Sequence, residues 1–229
     1  MPHVNAAAKF QSVMDAEIAR AKLTHCTACY IDDVCLFTDT FEEHLQALKA
    51  LLVMLDNVGL RAHPVKCKFA CATVEFLGHR VGKHGVAPAT AKTAAIMEMG
   101  QPTNASELRS QLGLISYYRD FIPNASALMD PLRPLLKKDA VWKANTWTAD
   151  HQAALDHLKQ LLCRPGVGCF HFDPDLATHI YTDFSTRGIA AVLAQVGPDK
   201  RERLVACISR SRVSRWLSFH YGFSCLRCF

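Results

Sequence analysis

The chain has 229 residues, half of them hydrophobic and 21% charged, which fits one large or two small globular domains and argues against disorder across most of its length. Its net charge of +5 permits a polyanionic partner without demanding one. The first residues, Met1-Pro2-His3-Val4-Asn5, lack the features of a secretory signal, no run approaches the ~18–20 apolar residues that span a bilayer, and the ten cysteines are scattered through apolar runs; the expectation is an intracellular protein, cytoplasmic or nuclear, with reduced thiols and no membrane attachment.

In chain order, Phe10, Val13, Met14, Ile18 and Ala21 recur at three- and four-residue spacing and predict a helix from Asn5 to about Arg20. Two short apolar runs, Thr27–Ile31 and Val34–Phe37, flank Asp32 and Asp33. Asp-Asp is a poor strand interior, so the pattern predicts a hairpin with the acids at its tip. Thr40 and Glu43 form a capping-box pattern, and Phe41, Leu45, Leu48, Leu52 and Leu55 make one apolar stripe on the helix that follows. Gly59 stops that helix and Pro64 prevents its resumption. Cys67–Cys71 and Val74–Leu77 are short strand candidates, Gly78 is a turn or bulge, and Gly82 and Gly85 mark a further turn.

Pro88 fits the first turn of a helix running to about Met99. Asn104 with Glu107 opens another, carrying Leu108, Leu112, Ile115 and Tyr118 on one face. A shorter helical piece covers Asn124 to Lys138, and Thr148 starts a helix with Ala154, Leu158, Leu161 and Leu162 that Pro165-Gly166 ends. Three strands follow: His179–Asp183, Ile189–Gln195 and Leu204–Ser209, the last two joined by Gly197-Pro198-Asp199-Lys200. They predict a meander. After Ser209 the chain is basic, with Arg210, Arg212, Arg215 and Arg227 and no acid. The change of character places a boundary in Lys137–Trp147.

Two adjacent carboxylates repel, and one tends to protonate unless a cation is near. A hard divalent ion removes the conflict, because Mg²⁺ takes a few carboxylate oxygens together with waters and substrate phosphates. An exposed Asp-Asp turn is the plain alternative, and the dipeptide alone favours it. The CxxC pairs, Cys26 with Cys29 and Cys225 with Cys228, suggest zinc only weakly; strand positions three apart face opposite sides, which spoils the first pair.

In context, Tyr30-Ile31-Asp32-Asp33 between apolar strands resembles the metal-binding hairpin of reverse transcriptases. An ordered series of further segments extends the likeness: Asn5–Gln11 upstream, Thr40–Leu45 in the next helix, Pro64–Phe69 and Val74–His79 as later palm strands and a primer-contacting turn, Glu107–Ser110, Leu112–Leu114 and Tyr117–Pro123 as thumb, then Pro131-Leu132 and Leu135–Lys138. Together they are similar to the Pol polyprotein of gypsy-type LTR retrotransposons. The resemblance implies an α+β fold: the C-terminal part of a polymerase palm over 1–86, a helical thumb and connection over 87–147, and an incomplete RNase H-like β-meander with an irregular basic tail over 148–229.

By the same resemblance, Asp32 and Asp33 are two of the polymerase's metal-binding acids, with Mg²⁺ or Mn²⁺ as the ion. Tyr181-Thr182-Asp183-Phe184-Ser185 and Gly188–Gln195 resemble the first hairpin of retroelement RNase H, with Asp183 as a metal-binding acid. Gln11, Tyr30, Lys66, Lys68, Phe76, Leu77, Gly78, His79, Tyr117, Tyr118 and Arg119 are the candidate contacts to nucleic acid. The implied partners are a primer–template duplex of RNA or DNA and deoxynucleotides. The chain departs from the family where Phe223–Phe229 carries no acid, and the family's upstream palm Asp and fingers have no counterpart before His3. The expectation is therefore a polymerase fragment inactive by itself. The alternative is a non-catalytic nucleic-acid-binding module, and behind that a plain α/β interaction protein.

Overall fold

The structure is a computed structural model that describes residues 5–143, 145–185 and 188–211. Helices and sheets are mixed along the chain, giving an α+β architecture. Two compact units divide it, the first ending at Leu77 and the second beginning at Gly78. No helix of the described residues is long and apolar enough to cross a membrane.

The first unit opens with α1 (Ala6–Arg20), followed by the hairpin β1 (Thr27–Tyr30) and β2 (Asp33–Leu36), then α2 (Phe41–Asn57). The hairpin is antiparallel, and Tyr30 pairs with Asp33 across the two-residue loop Ile31-Asp32. Thr40 caps α2 with a complete box: its hydroxyl accepts from the Glu43 amide, and Glu43 Oε2 accepts from the Thr40 amide, both at 3.2 Å. Gly59, at φ +75, ends the helix as expected. The core of this unit is Met14 and Ile18 from α1, Leu23 and Cys26 before β1, and Ala47, Leu51 and Met54 from α2.

Helix α2 departs from the expected stripe. Phe41, Leu45 and Leu52 are 59%, 51% and 44% exposed, whereas Leu51 and Met54 are buried. The helix carries apolar residues on two sides, and spacing alone does not say which side meets α1. The side with the small Ala47 between larger apolar residues is the one that packs. Cys67–Cys71 is not a strand either. Pro64–Lys66 forms a single 3₁₀ turn, and Ala70 at φ +50 breaks any extended run. The strand β3 (Thr73–Phe76) closes the unit.

The second unit begins with the hairpin β4 (His79–Gly82) and β5 (Gly85–Pro88). Pro88 is the last residue of β5 and not part of a helix, which starts only at α3 (Thr90–Glu98) after the N-cap Ala89. Next come α4 (Ala105–Tyr117), α5 (Ala125–Met129), a 3₁₀ stretch over Asp130–Leu136 and α6 (Ala149–Cys163). The Asn104 side chain caps α4 by accepting from the Glu107 amide at 2.9 Å. Thr148 caps α6 in a box with His151. Leu108, Ile115, Leu132, Leu155, Leu158 and Leu162 lose all solvent contact in one core with Ile96 and Tyr118. At roughly 1.5–3 kcal/mol for each such side chain, these helices hold the unit together.

Strand β6 (Cys169–Phe170) pairs with β5 across a long stretch of sequence. Gly85 permits that approach: at φ +146, a Cβ on it would meet the Cys169 carbonyl oxygen at 2.1 Å. The last three strands, β7 (Thr178–Phe184), β8 (Gly188–Val196) and β9 (Glu202–Ser211), form an antiparallel meander in sequence order. One face of it packs through Cys207 and Ser209. Cys207 Sγ donates to the Asp120 carbonyl at 3.0 Å, and Ser209 Oγ accepts from the Ser126 amide at 2.9 Å. The opposite face leaves Ile180, Phe184, Ile189 and Ile208 exposed. Arg212, Arg215, Arg227 and the end of the basic tail lie outside the described residues.

Candidate functional site

The paired acids stand at the hairpin tip. Asp33 is the first residue of β2 and Asp32 lies in the loop, and both are exposed. Ile31, the first loop residue, has φ +54. Positive φ at the first central residue and not at the second is the pattern of a II′ turn, where glycine is the cheapest residue. A β-branched side chain there is strained, so something must hold it.

Gln11 of α1 does so. Its Oε1 accepts from the Ile31 amide at 2.5 Å, and its Nε2 donates to the Cys29 carbonyl at 3.1 Å and to Asp15 Oδ1 at 2.8 Å. One amide thus satisfies a backbone donor and a backbone acceptor on either side of Tyr30. Cys29 Sγ adds a contact to the Ile31 carbonyl at 3.6 Å. Burial, then the negative charge of Asp15, and further on that of Asp33, push the Cys29 thiol up, while the bond to Gln11 opposes them. Asp15 on α1 and Cys29 on β1 support this turn, a role that the sequence does not assign to them. The readable signal was the Gln11/Asp15 spacing of four, which puts both on one face of α1.

The oxygen donors at the tip suit a hard cation held by one or two carboxylates, with waters and substrate phosphates completing the shell. They do not make an all-protein cage. Among the described residues no group of three His, Cys, Asp or Glu side chains is placed to hold a metal ion. Tyr30, at 55% exposed, stands beside the acids. Lys66 ends the 3₁₀ turn and Lys68 follows it; both are exposed and neither is on a strand. Phe76 and Leu77 are half-buried, and Leu77 has φ +48.

In the second unit, Gly78 (φ +72) is the turn residue before β4, and His79, the first residue of β4, lies within an aromatic cluster. The His79 ring lies 5.2, 5.4 and 5.7 Å from the rings of Tyr117, Tyr118 and Phe121. Tyr117 is exposed and can offer a face to a base. Tyr118, expected to do the same, does not: it is 1% exposed, and its hydroxyl donates to the Gly78 carbonyl at 2.7 Å. Its position on the apolar stripe of α4 is what buries it. Arg119 keeps an exposed guanidinium near Asp120 (3.8 Å) and donates to the Ser209 carbonyl at 3.2 Å.

Asp183 lies on β7, paired with Ala190 of β8, and is exposed. His179 and Tyr181 alternate with it on the same side of the strand. Both engage Glu202, His179 at 2.8 Å and Tyr181 at 2.5 Å. The Tyr181 hydroxyl, then the His179 ring, hold the Glu202 carboxyl below its ordinary range. Asp183 is not part of that group.

Residues 3–81 match the family model of reverse transcriptase (RNA-dependent DNA polymerase), and residues 147–216 match that of the RNase H-like domain found in reverse transcriptase. The chain is 35% identical over 196 residues to the transposon Tf2-3 polyprotein of Schizosaccharomyces pombe, and equally to the Tf2-4 polyprotein. That alignment takes in 86% of this chain and 14% of each relative, so the chain spans about one seventh of their length. Among solved structures, a foamy viral protease–reverse transcriptase in complex with double-stranded DNA superposes with a TM-score of 0.75 at 22% identity, over 93% of this chain and 43% of that one. The same protein in complex with an RNA/DNA hybrid gives 0.74 at 21%, over 93% and 28%. The chain thus carries a reverse-transcriptase segment and an RNase H-like segment, and its fold is shared with those enzymes.

Proposed function

We propose that this chain is the polymerase-to-nuclease stretch of a gypsy-type retrotransposon Pol polyprotein, whose intact parent extends a primer on an RNA or DNA template. In this reading residues 1–86 are palm, 87–147 thumb and connection, and 148–229 the start of the RNase H-like domain. The observation that carries it is the hairpin tip: two exposed adjacent carboxylates on a strained turn clamped by Gln11, inside the span that matches reverse transcriptase.

Asp32 and Asp33 would hold Mg²⁺ or Mn²⁺. Bound there, the ion stabilises charge on the attacking and leaving oxygens of phosphoryl transfer. The protein's own part is positional. Gln11 fixes the loop so that both acids project from the tip, and Tyr30 stands beside them. Lys66 and Lys68 supply exposed cations for the phosphate backbone, and His79, Tyr117 and Arg119 supply rings and charge for a strand lying along the second unit. Asp183 is the corresponding metal-binding acid of the RNase H-like segment.

Two carboxylates at one site and a single one at the other fall short of a two-metal set, so the chain alone is inactive in both reactions. Two measurements test this. Mg²⁺ or Mn²⁺ raises the melting temperature of the purified chain, and Asp32→Asn abolishes the rise; an equal rise in the variant sinks the metal assignment. Nucleotide incorporation by the chain alone in a template-primed assay would overturn the claim of inactivity.

A further inference from the structure

We infer that Tyr118 is a positioning residue: its buried hydroxyl holds Gly78 so that the His79 ring and the exposed face of Tyr117 form one stacking edge for a nucleic-acid strand. This rests on the reading that His79 and Tyr117 contact nucleic acid, and it assigns Tyr118 a role that burial denies it as a direct contact.

The geometry is over-determined at Tyr118 and under-determined at Gly78. Tyr118 is the C-cap of α4, at φ −103 and ψ 17. Its amide donates to the Ile115 carbonyl at 3.0 Å and its carbonyl accepts from the Phe121 amide at 3.1 Å. Its ring meets Tyr117 edge-on at 4.9 Å and Phe121 at 6.3 Å. The phenol thus projects from a backbone fixed on both sides and a ring fixed by its neighbours. Gly78 has the widest conformational freedom of any residue type. Its carbonyl is tied at two points, by the Ala89 amide at 3.0 Å and by Tyr118 Oη at 2.7 Å. The Ala89 bond is one rung beyond the β4–β5 ladder and fixes the oxygen along the strand. The Tyr118 bond comes from another element and fixes how the peptide faces α4.

The next residue is His79, whose ring is enclosed by the same three aromatic residues. A Cβ on Gly78 would meet Tyr118 Oη at 3.2 Å and Tyr117 Cε1 at 3.7 Å, so the glycine lets the turn come close enough for the bond. Removing the hydroxyl keeps the aromatic packing and the Ala89 bond, and frees the Gly78 peptide to rotate. His79 and Tyr117 then no longer present a fixed edge.

The test uses the full chain, Tyr118→Phe, His79→Ala and the double variant, with a fluorescent primer–template duplex followed by anisotropy. Melting curves establish that each is folded. Loss of one hydrogen bond's worth of alignment predicts about fivefold weaker duplex binding for Tyr118→Phe. Because Tyr118 acts through His79, the same change in the His79→Ala background leaves affinity unaltered. Equal fold-losses in both backgrounds, or no loss for Tyr118→Phe beside a loss for His79→Ala, overturn the inference and leave the nucleic-acid reading standing. A wild-type chain that binds no duplex defeats that reading, and the positional claim is then decided by NMR alone. The His79 ring protons show cross-peaks to all three aromatic neighbours and a shift that moves in Tyr118→Phe; an unmoved resonance sinks the claim.

Discussion

Replacing Gln11 by Met is the sharpest perturbation of the hairpin tip. Methionine keeps the length and helix propensity of the side chain and deletes its amide. Gln11 makes two bonds to the hairpin backbone, from the Ile31 amide at 2.5 Å and to the Cys29 carbonyl at 3.1 Å. The third, to exposed Asp15, is discounted for its access to water. At about 1 kcal/mol each, the two backbone bonds amount to about 2 kcal/mol. That is a factor of about 30 in the local opening equilibrium of the Ile31 amide. Hydrogen exchange read at that amide is the assay, with the Leu51 amide, in the interior of α2, as an internal reference. The expected result is exchange about 30-fold faster at Ile31 with little change at Leu51. An Ile31 amide that exchanges at the same rate in Gln11→Met would show that the turn holds its strained backbone without the clamp, and the account of the site would fail with it.

Three further outcomes follow from the geometry. Leu51→Ala costs about 2–5 kcal/mol in chemical denaturation, while Leu45→Ala on the exposed side of α2 stays within about 0.5 kcal/mol; equal costs would mean that the wrong side was assigned to the core. Gly85→Ala forces a methyl against the Cys169 carbonyl and an unfavourable φ, so it costs more than about 3 kcal/mol, whereas Gly100→Ala, with nothing within 4 Å, is close to neutral in the same melt. Tyr181 hydrogen-bonds Glu202, which raises the phenol's pKa and lowers that of the carboxyl. A raised acid favours the fold at pH below the ordinary tyrosine value and loses that contribution as pH rises through its own midpoint. A lowered carboxyl contributes above the ordinary glutamate value and loses it as pH falls. The contact therefore operates between about pH 4 and 10, and ultraviolet titration of the phenol, by difference against Tyr181→Phe, moves down toward the ordinary midpoint in Glu202→Gln.

Where local chemistry decides structure, the sequence was readable. The Thr40/Glu43 and Asn104/Glu107 caps, the Leu108–Tyr118 face of α4 and the meander of β7 to β9 all formed where spacing placed them. The Asp-Asp hairpin formed because two strands cannot run through paired charges. What spacing could not supply was the identity of the partner. Helix α2 is apolar on two sides, so its periodicity did not say that Ala47, Leu51 and Met54 face inward. Pro88 could begin a helix or end a strand, and the pairing of β5 with β4 decided for the strand. The two-residue β6 has no period to detect and exists because β5 offers it an edge. At the candidate site the acids were visible as residue types. The clamp was not, because Gln11 and Ile31 are 20 positions apart and only folding brings the amide to the turn.

Among the described residues β7 stands at the outside of its sheet, and that bears on how Asp183 can be studied. Among the described residues that strand pairs on one side only, with β8, and all seven of its residues are exposed. Its sequence, Thr-His-Ile-Tyr-Thr-Asp-Phe, has no lysine or proline, so with histidine neutral Asp183 is its single formal charge. Open strand margins of this kind are kept from stacking onto one another by such charges. Neutralising Asp183 to probe its chemistry therefore also strips the strand of its guard against aggregation. Any deficit in that variant has to be normalised to the amount of monomer left in solution.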